Sequence, residues 1–511
     1  MSTSPLPAQS LVGVVGAGAM GAGIAEVAAL AGHEVRLYDT QPKALDKAIN
    51  DLQRRLVRQA ERGRITHADA NAAVARLQPA AALEELADAV LVIEAIFEGL
   101  DAKRQLFKSL ADIVGPRCIL ASNTSSLSIT ALCAGVSGPG RVVGMHFFNP
   151  PPAMPLVEVV SGLATDAWVA ETTFGIAQSW GKRPVHAKST PGFIVNRIAR
   201  PYYGEALRLA EELAAEPATI DALLREAGGF RMGPFELMDL IGLDVNLAVT
   251  KSVHAACQGD PRYAPALLQQ ELVAAGRLGR KTGRGFFEYG ESAPAPQATN
   301  EPSAGAPSRV GLAGDLGVAE PLAERLRTVG VDVVKLPAVE QVLGRGYFIA
   351  GNVVIAMTDG RSATRRAAES GHANLVLFDL AHDFAHATRI GVARADQCSQ
   401  GAYQSALGLL QVAGYAVSRL DDTPGLAVMR IVAMLANEAA ELLQRGVASA
   451  ADIDLAMRLG TSYPEGPLAW ARRIGLTTVR EVIDHLSAHY GEDRYRVSPL
   501  ITRKILGGTE L

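Results

Sequence analysis

"LVGVVGAGAMGAGIAEVAALAGHEVRLYD", residues 11–39, decides the fold. Its opening is an uninterrupted apolar run of strand length, the glycines mark a turn, and the alanine-rich stretch after them suits a helix. A second strand begins near His33 and ends at Asp39. This is a βαβ unit, which implies a parallel sheet with helices over its faces. Gly16, Gly18 and Gly21 form GxGxxG at the strand-to-helix turn, around Met20. Gly16 permits the tight turn, Gly18 leaves room for the backbone to approach a pyrophosphate, and Gly21 lets helix and strand pack closely. The helix N-terminus then offers unpaired N–H groups to the anion. Asp39 stands eighteen residues after Gly21, where a carboxylate can accept hydrogen bonds from a ribose, and no arginine follows it immediately to receive a 2′-phosphate. The pattern favours NAD over NADP; the turn alone is shared with FAD sites.

Working outward, "AVLVIEAI" (89–96), "CILASN" (118–123) and "RVVGMHFF" (141–148) are further strands, so residues 1–187 read as a doubly wound Rossmann-type α/β domain. Long amphipathic helices follow over 188–290. Residues 291–307, "ESAPAPQATNEPSAGAP", lack apolar periodicity and read as a solvated linker. Short β-like runs separated by helical ones return over 308–420. "TPGFIVNRI" at 190–198 then recurs as "TPGLAVMRI" at 423–431. The same shift of 233 residues aligns Glu205 with Glu438, Gly233-Pro234 with Gly466-Pro467, and Ile241-Gly242-Leu243 with Ile474-Gly475-Leu476. One ungapped offset over more than fifty residues marks a duplicated helical domain, the second copy spanning 421–511. Aligning Gly16 with Gly314 puts Leu316 where Gly18 stands, and no acid ends "VDVVKL", so the second α/β segment is a degenerate copy not expected to hold a second dinucleotide.

The 511 residues carry a net charge of −4, with 48% hydrophobic and 20% charged side chains, the balance of an ordinary globular protein. That charge gives no reason to expect nucleic acid or an anionic membrane as a partner. The four cysteines lie far apart without CxxC spacing, so neither a disulfide framework nor a metal site is indicated. No apolar run reaches the roughly 18 residues of a spanning helix, and "MSTSPLPAQS" lacks the pattern of an export signal, so a cytoplasmic location is expected.

His146 follows the apolar "RVVGM" at a strand end, and strand ends of a doubly wound sheet face the ligand crevice. Glu158, twelve residues later in "PLVEVV", is an acid between apolar neighbours, where an unpaired carboxylate is costly. A carboxylate on one ring nitrogen leaves the other free to take a proton from a substrate hydroxyl, which suits alcohol oxidation by hydride transfer. Core packing accounts for either residue singly. "SNTSSLS" (122–128) places Asn123 and Ser125 after another strand and also reads as a helix cap; Asn196 also reads as a domain-interface hydrogen bond.

"GAGAMGAGIA", "VIEAIFE", "SNTSSLSIT", "GMHFFNPPPAMPLVEVV", "TPGFIVNRI" and "GPFELMDLIGLD", in this order, closely resemble the NAD-dependent L-3-hydroxyacyl-CoA dehydrogenases over about residues 10–290. The resemblance implies His146 as the base, Glu158 as its orienting carboxylate, Ser125 near the substrate oxygen, and Asn196 holding the reacting group. It also implies Glu98, Lys103 and Asn149 as cofactor-site residues beside Gly16, Gly18, Met20, Gly21, Asp39 and Asn123, with NAD as cofactor and an acyl-CoA thioester as substrate. The long two-copy form resembles members that oxidise 3-hydroxyadipyl-CoA in phenylacetate catabolism; 3-hydroxybutyryl-CoA is the alternative substrate. A non-catalytic nucleotide-binding regulator is the competing class, and retention of Ser125, His146, Glu158 and Asn196 argues against it. The second helical copy is expected to pack on the first through the face that single-copy relatives use for dimerisation, giving either a monomer with an internal pseudo-dimer or a homodimer.

Overall fold

β1 (Leu11–Val15), β2 (Glu34–Tyr38), β3 (Leu77–Ala80), β4 (Leu91–Glu94), β5 (Ile119–Ser122), β6 (Val142–Phe147), β7 (Leu156–Ser161) and β8 (Arg183–Lys188) form the first sheet. Their order is β3-β2-β1-β4-β5-β6-β7-β8, and every neighbouring pair is parallel except β6 and β7. Strands β4 and β5 are buried at every residue, as a sheet covered on both faces requires. The strand order reverses between β1 and β4, which places a ligand crevice outside their carboxyl ends.

The computed structural model describes residues 6–7, 9–337 and 345–511, and its chain divides into two units. The first unit takes in the first sheet and its helices through Arg197, together with Arg445–Thr461; the second is Ile198–Gln444 with Ser462–Leu511. The helix Ala450–Gly460, in the second copy of the repeat, therefore belongs to the first unit, where it packs on β7 and β8.

In the second unit β9 (Arg309–Ala313), β10 (Asp332–Lys335), β11 (Tyr347–Ala350), β12 (Val353–Met357), β13 (Leu375–Phe378), β14 (Arg389–Arg394) and β15 (Ala416–Arg419) form a sheet in the order β10-β9-β11-β12-β13-β14-β15. β11 runs antiparallel to both β9 and β12, where β4 in the first sheet runs parallel to β1 and β5. An antiparallel neighbour removes the parallel reversal that opens a nucleotide crevice. Leu316 is 3% exposed, so a packed side chain stands where Gly18 leaves space in the first copy. Residues 291–307 form no helix or strand; Glu301 N donates to Val417 O on β15 and Ala304 N to Gln411 Oε1, so the segment follows the second sheet.

Helices from both copies of the repeat meet inside this second unit. The helix Val428–Gln444 is buried from Val428 to Leu442 and packs on Arg200–Glu211. Their polar contacts are reciprocal. Glu205 accepts from Arg430 Nε at 2.8 Å and Tyr495 Oη at 2.9 Å, while its repeat counterpart Glu438 accepts from Tyr263 Oη at 2.5 Å and Arg262 Nη1 at 3.3 Å. The Arg262-Tyr263 pair itself recurs as Arg494-Tyr495. Residue i meeting j while the counterpart of j meets that of i is the signature of a two-fold interface.

Candidate active site

The cofactor end is built by the first βαβ turn. Gly16 has φ of +106°, and a Cβ there would lie 2.5 Å from Ala95 O; one on Gly21 would lie 1.8 Å from Gly16 O. A Cβ on Gly18 would meet nothing within 4 Å, because it would point into open space at the N-terminus of the helix Ala19–Leu30. That space is a cavity of about 320 Å³ lined by Gly16, Gly18, Tyr38, Asp39, Ala95 and Phe97. Asp39 is fixed at its wall: Oδ2 accepts from Ala17 N at 2.8 Å and Oδ1 from Gln41 N at 2.9 Å, and each oxygen keeps a further acceptor site for a ribose hydroxyl. The cradle that a Cβ would fill, the helix N-terminus and the carboxylate together fit the adenosine and pyrophosphate of a dinucleotide. Met20 packs against the core of this domain.

His146 and Glu158 are opposite one another on β6 and β7, so the antiparallel turn-back of the sheet joins residues twelve apart in sequence. His146 Nδ1 lies 2.6 Å from Glu158 Oε2, with His146 5% and Glu158 0% exposed. The other carboxylate oxygen, Oε1, accepts from Ile194 N and Val195 N at 3.0 Å each, at the start of the helical turn Val195–Ile198. Glu158 therefore braces the imidazole and ties it to the backbone that carries Asn196. Phe148 and Phe193 flank the ring, with centroids at 4.6 and 5.9 Å. A carboxylate on Nδ1 selects the tautomer with the proton there and leaves a lone pair on Nε2.

Asn196 Nδ2 donates to Ser125 O at 3.3 Å, which brings these two candidates together. The loop after β5 is held by Glu98, whose Oε1 accepts from Thr124 Oγ1 at 2.5 Å, Ser125 N at 3.1 Å and Ser126 Oγ at 3.1 Å. Burial pushes the Glu98 carboxyl up, but Lys103 and the hydrogen bonds from Thr124 and Ser125 outweigh it and hold it below the ordinary carboxylate value. Lys103, 1% exposed, lies 2.6 Å from Glu94 Oε1 and 3.1 Å from Glu98 Oε2. Glu94, 0% exposed, also accepts from Ile96 N at 2.7 Å and Ser122 Oγ at 2.6 Å. Asn123 Oδ1 accepts from Phe147 N at 2.8 Å, locking the end of β5 to the end of β6 beside His146. Asn149, exposed just past β6, precedes a cis proline.

Glu94, Ser122 and Thr124 escaped sequence reasoning. The available signal was an acid closing the apolar run "LVIE", the same signal that singled out Glu158.

The second copy keeps half of this arrangement. Asp379, just after β13, accepts from Ala427 N, Val428 N and Met429 N, and the first two are the repeat counterparts of Ile194 and Val195. β13 pairs antiparallel with β14 as β6 does with β7, so this carboxylate comes from the strand corresponding to that of His146. Burial pushes Asp379 up to about 6, against the opposing pull of its N–H donors.

Comparison with known proteins agrees with this geometry. Residues 11–190 match the 3-hydroxyacyl-CoA dehydrogenase NAD binding domain, and residues 192–289 and 425–509 both match the C-terminal domain of that family. Residues 355–424 match a 3-hydroxybutyryl-CoA dehydrogenase reduced Rossmann-fold domain. A 3-hydroxyadipyl-CoA dehydrogenase of Escherichia coli (strain K12) is 43% identical over 498 residues, 97% of each chain. A probable 3-hydroxybutyryl-CoA dehydrogenase of Bacillus subtilis (strain 168) is 44% identical over 278 residues, covering 54% of this chain and 96% of its own. A crystal structure of 3-hydroxybutyryl-CoA dehydrogenase from Escherichia coli K12 superposes with a TM-score of 0.89 at 42% identity, covering 98% of this chain and 99% of that one. With matches over both helical copies and both α/β segments, the chain belongs to the NAD-dependent 3-hydroxyacyl-CoA dehydrogenase family.

Proposed function

We propose that the protein oxidises the 3-hydroxyl of a (3S)-3-hydroxyacyl-CoA to the 3-oxoacyl thioester, that NAD is the oxidant, and that 3-hydroxyadipyl-CoA is the substrate. The observation that carries the chemistry is the 2.6 Å contact of His146 Nδ1 with buried Glu158. His146 Nε2 takes the hydroxyl proton, and Glu158 stabilises the resulting imidazolium through Nδ1. Ser125 contacts the substrate oxygen, and Asn196, fastened to Ser125 O, holds the reacting group. NAD, when bound, supplies the acceptor for the hydride that leaves C3. Gly16, Gly18, Gly21 and Asp39 hold its adenosine and pyrophosphate, and the loop braced by Glu98, with Asn123 and Asn149, flanks its reactive end. A positioned base of this kind contributes about 10²- to 10⁴-fold.

The adipyl substrate rests on the full-length likeness to the Escherichia coli 3-hydroxyadipyl-CoA dehydrogenase. 3-Hydroxybutyryl-CoA is the second reading, favoured by the names of the solved structure and of the shorter relative. The reciprocal contacts of Glu205 and Glu438 support an internal pseudo-dimer, in which the second helical copy does the work of a partner subunit. Cys118, Cys133 and Cys398, buried and outside any disulfide, support a reducing cytoplasm as its compartment.

NADH absorbance with a panel of 3-hydroxyacyl-CoA thioesters, on wild type and His146→Ala, tests the reading. We expect turnover that falls about 10²-fold or more in the variant. A wild type inactive on every thioester would leave a nucleotide-binding role in its place.

A further inference from the structure

The first sheet is completed by a segment from the second copy of the repeat. Lys188, the last residue of the edge strand β8, donates its backbone N–H to Val447 O at 2.8 Å. The helix Ala450–Gly460 then packs on β7 and β8 with Ile453, Ala456 and Met457 buried. The second unit holds the reciprocal arrangement: Asp421 N donates to Ala214 O at 2.8 Å, and the helix Pro217–Glu226 packs on β14. Asp421 is the repeat counterpart of Lys188, and Val447 that of Ala214. The two braces differ at one position. Gly460 ends its helix where the first copy has Ala227, and its φ lies outside the left-handed region, so the backbone does not demand glycine. Space does. A Cβ on Gly460 would lie 2.8 Å from Leu156 Cδ2 and 3.0 Å from Val195 Cγ2, where carbon atoms pack best at about 3.5–4.0 Å. Both neighbours are buried and both belong to the catalytic framework: Leu156 opens β7, the strand of Glu158, and Val195 N donates to Glu158 Oε1 at 3.0 Å.

We infer that the helix Ala450–Gly460, contributed by the second copy, positions the catalytic pair of the first, and that Gly460 is the positioning residue through which it acts. The bare Cα of Gly460 lets the helix end seat against Val195. That contact sets where the Val195 N–H meets Glu158 Oε1, and hence where Oε2 holds His146 Nδ1. Val195 is β-branched and stiff at χ1, so a push on its Cγ2 passes to its backbone amide instead of being absorbed by a rotamer change. Leu156, pressed from the same point, transmits the push to β7. Ala227 agrees with this reading: its helix packs on β14, and neither β13 nor β14 carries a histidine or glutamate. The inference rests on the proposed function, because it takes His146 to be the base. Relief of the contact in Gly460→Ala requires Val195 to retreat by about 0.5 Å. Misplacement by about 1 Å can cost about 10²-fold, so a fall of about tenfold in kcat is expected.

The test is a double-mutant cycle on the full-length chain with Gly460→Ala, Val195→Ala and the two combined, reading NADH formation with the 3-hydroxyacyl-CoA that wild type turns over best. Val195→Ala keeps the amide that Glu158 needs and removes the two methyl groups that the new Cβ would strike. Gly460→Ala should lower kcat about tenfold and leave KM for NAD within about twofold, because the glycine turn and Asp39 are untouched. Val195→Ala, which leaves a gap under the same amide, should lower kcat about threefold or more. The double variant trades size across the contact and should recover to within about threefold of wild type. A folded Gly460→Ala with kcat within about twofold of wild type overturns the assignment, and so does a double variant whose loss is the product of the two single losses. A KM for NAD that rises in step with the fall in kcat marks general disruption of the unit and overturns it too. If Gly460→Ala does not fold, the other two variants decide: the double should exceed Val195→Ala in kcat, and a value equal or lower overturns the assignment. A wild type that turns over no thioester overturns the proposed function, whereas an active wild type with an unaffected Gly460→Ala overturns this assignment alone.

Discussion

Replacing Glu158 with glutamine separates the chemical role of this residue from its structural one. Oε1 accepts two backbone N–H groups, from Ile194 and Val195, and an amide NH₂ cannot stand there without opposing donors. The glutamine oxygen must therefore keep that position, which turns its NH₂ toward His146 Nδ1. Nδ1 then has to accept rather than donate, the ring proton moves to Nε2, and the base is lost although both side chains keep their places. A wrong tautomer of this kind costs about 10⁴-fold in kcat in the serine-protease triad, and about 10³- to 10⁴-fold is expected here, or about 4 to 5.5 kcal/mol of barrier. Stability should change far less than in Glu158→Ala, which also strands the two buried N–H donors at about 1–3 kcal/mol each. The assay is NADH formation at saturating NAD and 3-hydroxyacyl-CoA, read beside thermal unfolding of both variants. A Glu158→Gln enzyme that folds normally and keeps kcat within about tenfold of wild type would refute the tautomer argument.

Three further outcomes are expected. Lys103→Met strands Glu94 in a fully buried site and should destabilise the first unit by about 3–5 kcal/mol, part of which Glu94→Gln in the same chain recovers; chemical unfolding reads both. Gly18→Ala should fold like wild type, since its Cβ meets nothing within 4 Å, yet raise KM for NAD by about tenfold or more, whereas Gly21→Ala, with a Cβ 1.8 Å from Gly16 O, should fail in folding first; soluble yield and NAD titration distinguish them. The Glu98 carboxyl sits below its ordinary pKa, so its contribution is complete above that value and lost as pH falls through the lowered one; Glu98→Gln should flatten the acid limb of kcat, and an unchanged limb would count against the brace on the Ser125 loop.

Local patterns made the fold readable in advance. A strand, three glycines, a helix and an acid in register are a statement about thirty consecutive residues, and their geometry follows from backbone sterics and helix dipoles with little help from the rest of the chain. The repeat at one fixed offset was equally legible, since it compares sequence with sequence. The departure of the second copy's turn from GxGxxG was legible at Leu316, but the antiparallel direction of β11 was not, because strand direction depends on how distant segments pair.

By itself, then, the sequence determined the βαβ start, the duplicated helical domain and the residue types that could abstract a proton, all of which are encoded over short spans or in self-similarity. Only the tertiary structure decided that His146 and Glu158 meet at 2.6 Å, that Glu98 braces the Ser125 loop while Lys103 joins Glu98 to Glu94, that Asp379 comes from a different strand from Glu158, and that Tyr495 closes on Glu205 as Tyr263 does on Glu438. Those pairings join residues through strand register and helix packing, and a hydrogen bond depends on a few tenths of an ångström that spacing along the chain cannot supply.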